Sequence, residues 1–286
     1  MADLAVHRRR FAENLRETDT AVSDVVVEAF AAVGREQFLG PGPWHILELA
    51  DDGSTSYRAT DTADPVHVYR DVLVGIDPTR GLNNGEPHSL AGWITALAPQ
   101  PGETVVHIGS GTGYYTAILA ELVGPSGSVI AYEIDVGLAA RAMTNLRAWR
   151  HVSVVAANGC DLRTREVDAI LVNCGVTHPV PVWLAALATG GRALVPVTAS
   201  ANASGIGTGA MFMIAREHDH FDVAYVSPVG IFPCAGGRSD ALNAKLLAKP
   251  EASWREVRSI RLEPHDEEPS CWLHAAACLS TASRAT

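Results

Sequence analysis

The chain has 286 residues, 47% of them hydrophobic, enough to bury a sizeable core in one large domain or two small ones. Its formal net charge of −10 disfavours a nucleic-acid groove, and neither a nucleic-acid nor a membrane partner is expected. The five cysteines, Cys160, Cys174, Cys234, Cys271 and Cys278, are scattered and form no C-x-x-C pair, so the expectation is a reduced, cytoplasmic protein without disulfides or a metal site.

Arg8-Arg9-Arg10 is followed by no apolar run, so no signal peptide is expected. Residues 20–33 predict a helix, with Ser23 as its cap, Val26, Phe30 and Val33 at helical spacing and Gly34 as its end. Residues 40–65 are rich in Gly, Pro, Asp, Ser and Thr and predict a loop or short hairpin that covers something. Asn83-Asn84-Gly85 marks a turn, and Pro87 fits the first turn of a helix running to about Leu97. Strand and helix then alternate. Strands are expected at 104–108, 128–133, 152–156, 167–173 and 192–197, and helices at 114–123, 136–149 and 179–188. Gly124 and Gly190 stand at helix C-cap positions. Residues 193–215 carry no charge, but Pro196, Ser200, Asn202, Ser204 and Thr208 favour two strands and a loop over a bilayer helix. Strands near 210–215 and 223–227 would close the sheet as an antiparallel pair. The tail predicts a helix at 239–248 and then a charged, Pro-containing stretch, with Arg238 and Asp240 candidates to pair with each other or with substrate.

The stretch Val105 to Tyr115 carries the chemistry. An apolar strand runs into Gly109-Ser110-Gly111-Thr112-Gly113, a helix follows, and a second apolar strand ends on Glu133, twenty residues past the last glycine. This is the layout of a nucleotide-type cofactor site at the end of a parallel sheet. The G-x-G-x-G spacing differs from the G-x-G-x-x-G of dinucleotide binders and points to S-adenosylmethionine and methyl transfer. Glycines let a ligand approach the main chain, and a strand-end carboxylate can accept hydrogen bonds from two ribose hydroxyls. Thr112 is expected as a polar loop contact, and Tyr114 and Tyr115 as packing residues.

These residues resemble the protein-L-isoaspartate O-methyltransferase family over roughly residues 20–235. Val33-Gly34-Arg35-Glu36-Gln37-Phe38 is similar to the family's V-x-R-x-x-F, Asn84-Gly85-Glu86-Pro87-His88 to its I-S-x-P-H, and Ile108 to Tyr114 to its I-G-x-G-x-G-Y. Ala131-Tyr132-Glu133 resembles the ribose-binding strand end, Val167–Val172 the fourth strand, and Gly190–Val197 the G-G-x-L-v-x-P-V string. The resemblance implies an α/β, Rossmann-like class I methyltransferase with a seven-stranded, mostly parallel sheet that ends antiparallel, plus N- and C-terminal extensions. It implies that His107, Gly109, Ser110, Gly111, Thr112, Gly113, Glu133, Asn158 and Gly159 bind S-adenosylmethionine. Asn83, Asn84, Gly85, His88 and Ser89 would bind substrate, with Asn84, Gly85 and His88 as positioning candidates. Residues 1–80 would cover the substrate, 81–235 bind the cofactor, and 236–286 form an extension.

Three departures bear on function. His107 stands where the family has an acid that can hold the amino group of the cofactor, and an imidazole can accept that bond only through an unprotonated nitrogen. Ala157-Asn158-Gly159 replaces the family's G-D-G turn, leaving an amide oxygen as the candidate acceptor for adenine. Gly85 replaces the serine that lies at the substrate carboxylate, which loosens the isoaspartate expectation. The leading expectation is a carboxyl methyltransferase acting on an Asp or isoAsp residue of a peptide or protein, with a slight lean to ribosomal-peptide modification. The alternatives are a small-molecule O-methyltransferase and a non-catalytic cofactor- or peptide-binding module.

Overall fold

The computed structural model describes residues 4–16, 21–49, 55–200 and 205–283. The chain forms two compact units, one of Met1–Gly102, Ser110–Val129 and Asp135–Val154, the other of Glu103–Gly109, Ile130–Ile134 and Val155–Thr286.

The first unit holds helices α1 (Leu4–Asn14) and α2 (Asp24–Ala32) and a small antiparallel sheet. Its strands are β1 (His45–Leu49), β2 (Thr55–Ala59), β3 (Val74–Asp77) and β4 (Leu82–Asn83), in the order β2-β1-β3-β4. Helices α3 (Pro87–Leu97), α4 (Tyr114–Val123) and α5 (Val136–Asn145) complete it. The expected start of α2 is corrected: residues 21–23 are not helical, and residue 20 lies outside the described residues. Ser23 stands at the N-cap but makes no side-chain cap bond. Val33 and Gly34 leave the helix in extended conformation, so Gly34 is not a left-handed cap. That exit delivers Arg35 to the interior, where it is completely buried.

Arg35 donates to the carbonyls of Val68 at 2.9 Å, Arg70 at 3.0 Å and Val72 at 2.7 Å. One guanidinium thereby clamps the segment that leads into β3. Around it, Phe11, Phe30, Phe38, Tyr69, Tyr114 and Tyr115 pack as an aromatic cluster with centroids 5.0 to 6.3 Å apart.

The larger sheet, most of whose residues belong to the second unit, is ten-stranded in the order β13-β14-β12-β11-β10-β9-β8-β5-β6-β7. These strands are β5 (Thr104–Ile108), β6 (Ser128–Glu133), β7 (Val152–Ala156), β8 (Val167–Val172), β9 (Leu187–Ala199), β10 (Gly207–Arg216), β11 (Phe221–Ile231), β12 (Ser259–Arg261), β13 (Cys271–Leu273) and β14 (Cys278–Ser280). β5 pairs parallel with β8, and β8 with β9. From β9 outward every pairing is antiparallel. The seven expected strands are present, and β12, β13 and β14 extend the antiparallel edge beyond them. β8 reads Val-Asp-Ala-Ile-Leu-Val because it is sandwiched on both faces, and its apolar residues are all fully buried.

Helix α6 (Pro181–Ala186) is shorter than the expected 179–188 because the chain enters β9 at Leu187. Gly190 is therefore not a helix cap. It lies inside β9 with φ +81°, where the register against β8 slips between Val167↔Leu187 and Ala169↔Arg192. Left-handed backbone at this bulge is a glycine position for the same physical reason that a C-cap is. Helix α7 (Asp240–Leu247) falls where expected. Among the described residues no helix is long and apolar enough to cross a membrane.

Candidate functional site

The first unit carries Ser110, Gly111, Thr112 and Gly113, and the second carries His107, Gly109, Glu133, Asn158 and Gly159. The chain passes from one to the other between Gly109 and Ser110. Gly109, Gly111 and Gly113 all have positive φ, at +77°, +56° and +95°. A side chain there would adopt a conformation costing roughly 1–2 kcal/mol per residue. Sterics reinforce the demand at two of them. A Cβ on Gly109 would stand 3.1 Å from the Asn173 carbonyl, and one on Gly113 2.7 Å from Leu146 Cδ1. Gly113 then caps α4 with its own backbone, and its N–H donates to Ser110 O at 3.0 Å. Within the first unit Asn145 Nδ2 holds the Thr112 carbonyl at 2.9 Å, and within the second the Gly109 N–H donates to Tyr132 O at 2.9 Å.

Ser110 Oγ is buried without a hydrogen-bond partner, and the Glu133 side chain at the end of β6 is also buried. A buried hydroxyl with nothing to bond is costly unless a ligand completes it. On the first unit, a bare-backbone loop with an unpartnered hydroxyl is chemistry that an adenosyl group can use, and on the second, a buried carboxylate at a strand end is an acceptor that ribose hydroxyls can use. Each set of residues, taken by itself, suits S-adenosylmethionine.

His107 on β5 is completely buried, and burial pushes its pKa down to about 3. It is a neutral imidazole at every physiological pH. Unfolded, the same histidine takes up a proton below about pH 6.5. The unfolded state thus binds more protons between those two values, and stability falls as pH drops through that window. Denaturant melts are expected to show the wild type losing stability faster than His107→Asn as pH falls from about 6.5 to 5, the extra slope approaching about 1.4 kcal/mol per pH unit at the lower end. Parallel profiles for the two proteins would show that His107 is not held neutral.

The turn after β7 is more structural than its motif implies. Asn158 Oδ1 accepts from Cys160 N–H at 2.9 Å and caps a short turn over Gly159–Asp161. Gly159 is a packing position: an added Cβ would meet Ile108 Cγ2 at 2.5 Å, and its carbonyl accepts from Trp183 Nε1 at 2.8 Å. Arg238 does not pair with Asp240 in a salt bridge; it donates to the carbonyls of Gly175 and Thr198 and to Asn243 Oδ1.

The Asn83–Ser89 segment lies wholly in the first unit. Gly85 has φ +79° and is held from both sides, its N–H by Asn83 Oδ1 at 2.9 Å and its carbonyl by Tyr115 Oη at 3.1 Å. Tyr115 thus positions this turn as well as packing. Asn84 is buried with Oδ1 unpartnered, and its N–H donates to Val74 O at 2.8 Å. Ser89 Oγ donates to Glu86 Oε2 at 2.6 Å across the first turn of α3. The His88 N–H bonds Asp71 Oδ1 at 2.9 Å, and His88 lines a cavity of about 200 Å³ with Phe11, Leu15, Tyr69, Arg70 and Asp71.

The β1–β4 sheet reaches the glycine loop and the start of α5. Ile76 Cδ1 lies 3.9 Å from where a Gly111 Cβ would be, Arg141 donates to Ile76 O at 3.3 Å, and Arg80 pairs with Asp135 at 2.6 Å. No local sequence signal marked Arg80 or Arg141, because each is defined by a partner more than fifty residues away.

Comparison with known proteins agrees with this geometry. The family model for protein-L-isoaspartate(D-aspartate) O-methyltransferase matches residues 58–229. A Methanopyrus kandleri protein-L-isoaspartate O-methyltransferase is 31% identical over 195 residues, covering 66% of this chain and 76% of the relative. Its counterpart from Methanothrix thermoacetophila is 30% identical over 196 residues, covering 67% and 81%. Among solved structures, a protein-L-isoaspartate O-methyltransferase superposes with TM-score 0.66 at 22% identity, over 83% of this chain and 69% of that one. A Plasmodium falciparum structure bearing the same designation, in complex with S-adenosyl-L-homocysteine, superposes with TM-score 0.59 at 17% identity, over 79% and 97%. These superpositions carry the class I methyltransferase fold. The glycine loop and the family match together make the chain an S-adenosylmethionine-dependent O-methyltransferase belonging to the protein-L-isoaspartate(D-aspartate) O-methyltransferase family.

Proposed function

We propose that this enzyme esterifies the side-chain carboxylate of an Asp or isoAsp residue in a peptide or protein, and that the ester then closes to a succinimide. The family match supports a peptide carboxylate as nucleophile. Such a carboxylate is ionised at neutral pH, with an ordinary pKa of about 3.9, so no general base is required. When bound, S-adenosylmethionine supplies an electrophilic methyl group on a sulfonium. The work left to the chain is to hold the reacting groups in line and keep water off the carboxylate.

In this reading Glu133 accepts from the ribose hydroxyls, and the Gly109–Gly113 backbone packs against the cofactor. Neutral His107 accepts from the cofactor's amino group, and Asn158 and Gly159 shape the adenine end. Asn83, Asn84, Gly85, His88 and Ser89 receive the substrate, with the β1–β4 sheet as cover. Methoxide leaves the ester far more readily than an oxide leaves the free carboxylate. The next backbone amide nitrogen of the substrate attacks the ester, methanol departs, and the succinimide forms.

The observation that carries the finer reading is the conformation of Gly85. Where the family has a serine, this chain has a left-handed backbone position clamped by Asn83 and Tyr115. A Cβ there would lie 3.2 Å from the Tyr115 ring, in a conformation L-residues resist. A serine hydroxyl is thus absent and disfavoured, which supports an ordinary Asp in a dedicated peptide substrate over isoaspartate repair. The test is methylation of paired peptides identical except for Asp or isoAsp. Faster methyl gain and methanol loss on the Asp member are expected by mass spectrometry. A preference for isoAsp would establish repair instead, and no methyl gain on either would end the carboxylate reading.

A further inference from the structure

The C-terminal extension carries a second constellation of chemically active side chains, distant in sequence from the glycine loop. β12, β13 and β14 and their connections bring His265, Cys271, His274 and Cys278 together. One donor atom from each lies within 4.8 Å of all the others. His265 Nε2 is 3.3 Å from Cys271 Sγ, and the two imidazole rings stand at 89° with centroids 5.0 Å apart. Tetrahedral coordination with bonds of about 2.0–2.3 Å separates ligand atoms by roughly 3.3–3.8 Å, so only a small contraction is needed.

The surroundings are those of ligands already oriented. His265 Nδ1 lies 2.8 Å from the Glu263 carbonyl. A carbonyl only accepts, so Nδ1 carries the proton and Nε2 keeps its lone pair toward Cys271. The Glu268 N–H donates to Cys271 Sγ at 3.4 Å, a contact that favours the thiolate. His274 Nδ1 is buried with no hydrogen-bond partner, although burying such an atom is costly. Both cysteines are free thiols. Arg261 holds the intervening loop through Glu268 at 2.6 Å and Ser270 at 2.9 Å.

We propose that His265, Cys271, His274 and Cys278 bind one zinc ion in a closed tetrahedral site that pins the 262–270 loop to the β13–β14 hairpin. Two thiolates and two imidazoles are a zinc donor set, and the two thiols release their protons as the metal enters. With all four positions filled by the protein, the metal has no open position for substrate, and its role is structural. The clip acts on the sheet edge through Trp272 of β13, which packs on Trp254 with centroids 4.9 Å apart.

The experiment uses the full chain, purified reduced and without chelators. Plasma mass spectrometry should find one zinc per chain. Protein stripped and reloaded with cobalt should show thiolate-to-metal absorption and the visible bands of a tetrahedral site. The Cys271→Ser/Cys278→Ser double variant should lose the zinc and keep S-adenosylmethionine binding, whereas Glu133→Ala should keep the zinc. If the double variant does not fold, mercurial titration of the wild type with a zinc-binding dye should release one zinc per chain. Failure of reduced wild-type protein to take up zinc or cobalt would overturn the proposal. So would a Cys271–Cys278 disulfide whose reduction creates no metal uptake.

Discussion

Replacing Glu133 by alanine is expected to weaken S-adenosylmethionine binding about 100-fold while leaving the protein folded. The carboxylate is buried at the end of β6, next to Tyr132, whose carbonyl accepts the Gly109 N–H. Two ribose hydroxyls donating to one carboxylate form charge-assisted hydrogen bonds worth about 1.5–3 kcal/mol each. Losing them as a pair, with some replacement by water, corresponds to about 3 kcal/mol, hence the factor of 100. Glu133→Gln keeps one acceptor oxygen and should cost about tenfold. Calorimetry with S-adenosylmethionine measures both. An affinity unchanged by Glu133→Ala would remove this residue from the cofactor site.

The largest stability effect is expected at Arg35, a residue that touches neither cofactor nor substrate in the proposed arrangement. Its guanidinium serves three carbonyls between Val68 and Val72, and its side chain is completely buried. Arg35→Met fills much of the volume but strands those carbonyls, at about 3–5 kcal/mol in urea melts. Arg35→Lys should recover only part of this, because an ammonium cannot reach three acceptors as a planar fork does. Damage should spread along the chain. The clamped segment feeds β3, whose Val74 carbonyl holds Asn84 N–H. Peptide turnover should therefore fall further than cofactor affinity in the lysine variant. A stability equal to wild type in Arg35→Met would refute the clamp.

The central part of the fold was legible because its signals are local. An apolar run, alternating glycines with left-handed backbone, and an acid at a strand end are each properties of a few consecutive residues. β5, β6, β7 and α4 accordingly fall on the residues the pattern indicated. Pro87 opening α3 and Gly124 ending α4 are local demands of the same kind. Ser23 and Gly190 show the limit of such rules. A capping residue can stand at a cap position without bonding, and a glycine can serve a strand bulge as well as a helix end. Which of these occurs depends on where the following chain is drawn.

Arg35 shows this dependence most clearly. The V-x-R-x-x-F string marked it by resemblance, yet its role exists only once residues 68–72 fold back around it. The cysteines show it too. Without a C-x-x-C pair the sequence argued against a metal site, but Cys271-x-x-His274 and Cys278 lie on a hairpin whose edge meets the 262–270 loop. Four ligand atoms within 4.8 Å are a product of that pairing. Residues 259–280 are too short and too charged to announce strands, and they become β12, β13 and β14 because a sheet edge at β11 is there to pair with.

The amino-acid sequence by itself determined the methyltransferase fold, the cofactor and the family, since backbone freedom, burial pattern and turn chemistry are written residue by residue. Only the tertiary structure decided the inward clamp of Arg35, the holding of Gly85 by Asn83 and Tyr115, and the gathering of two histidines and two cysteines at the sheet edge. Apart from Asn83, these rest on groups that become neighbours only after the chain has folded: side chain against backbone at Arg35 and Gly85, side chain against side chain at the sheet edge.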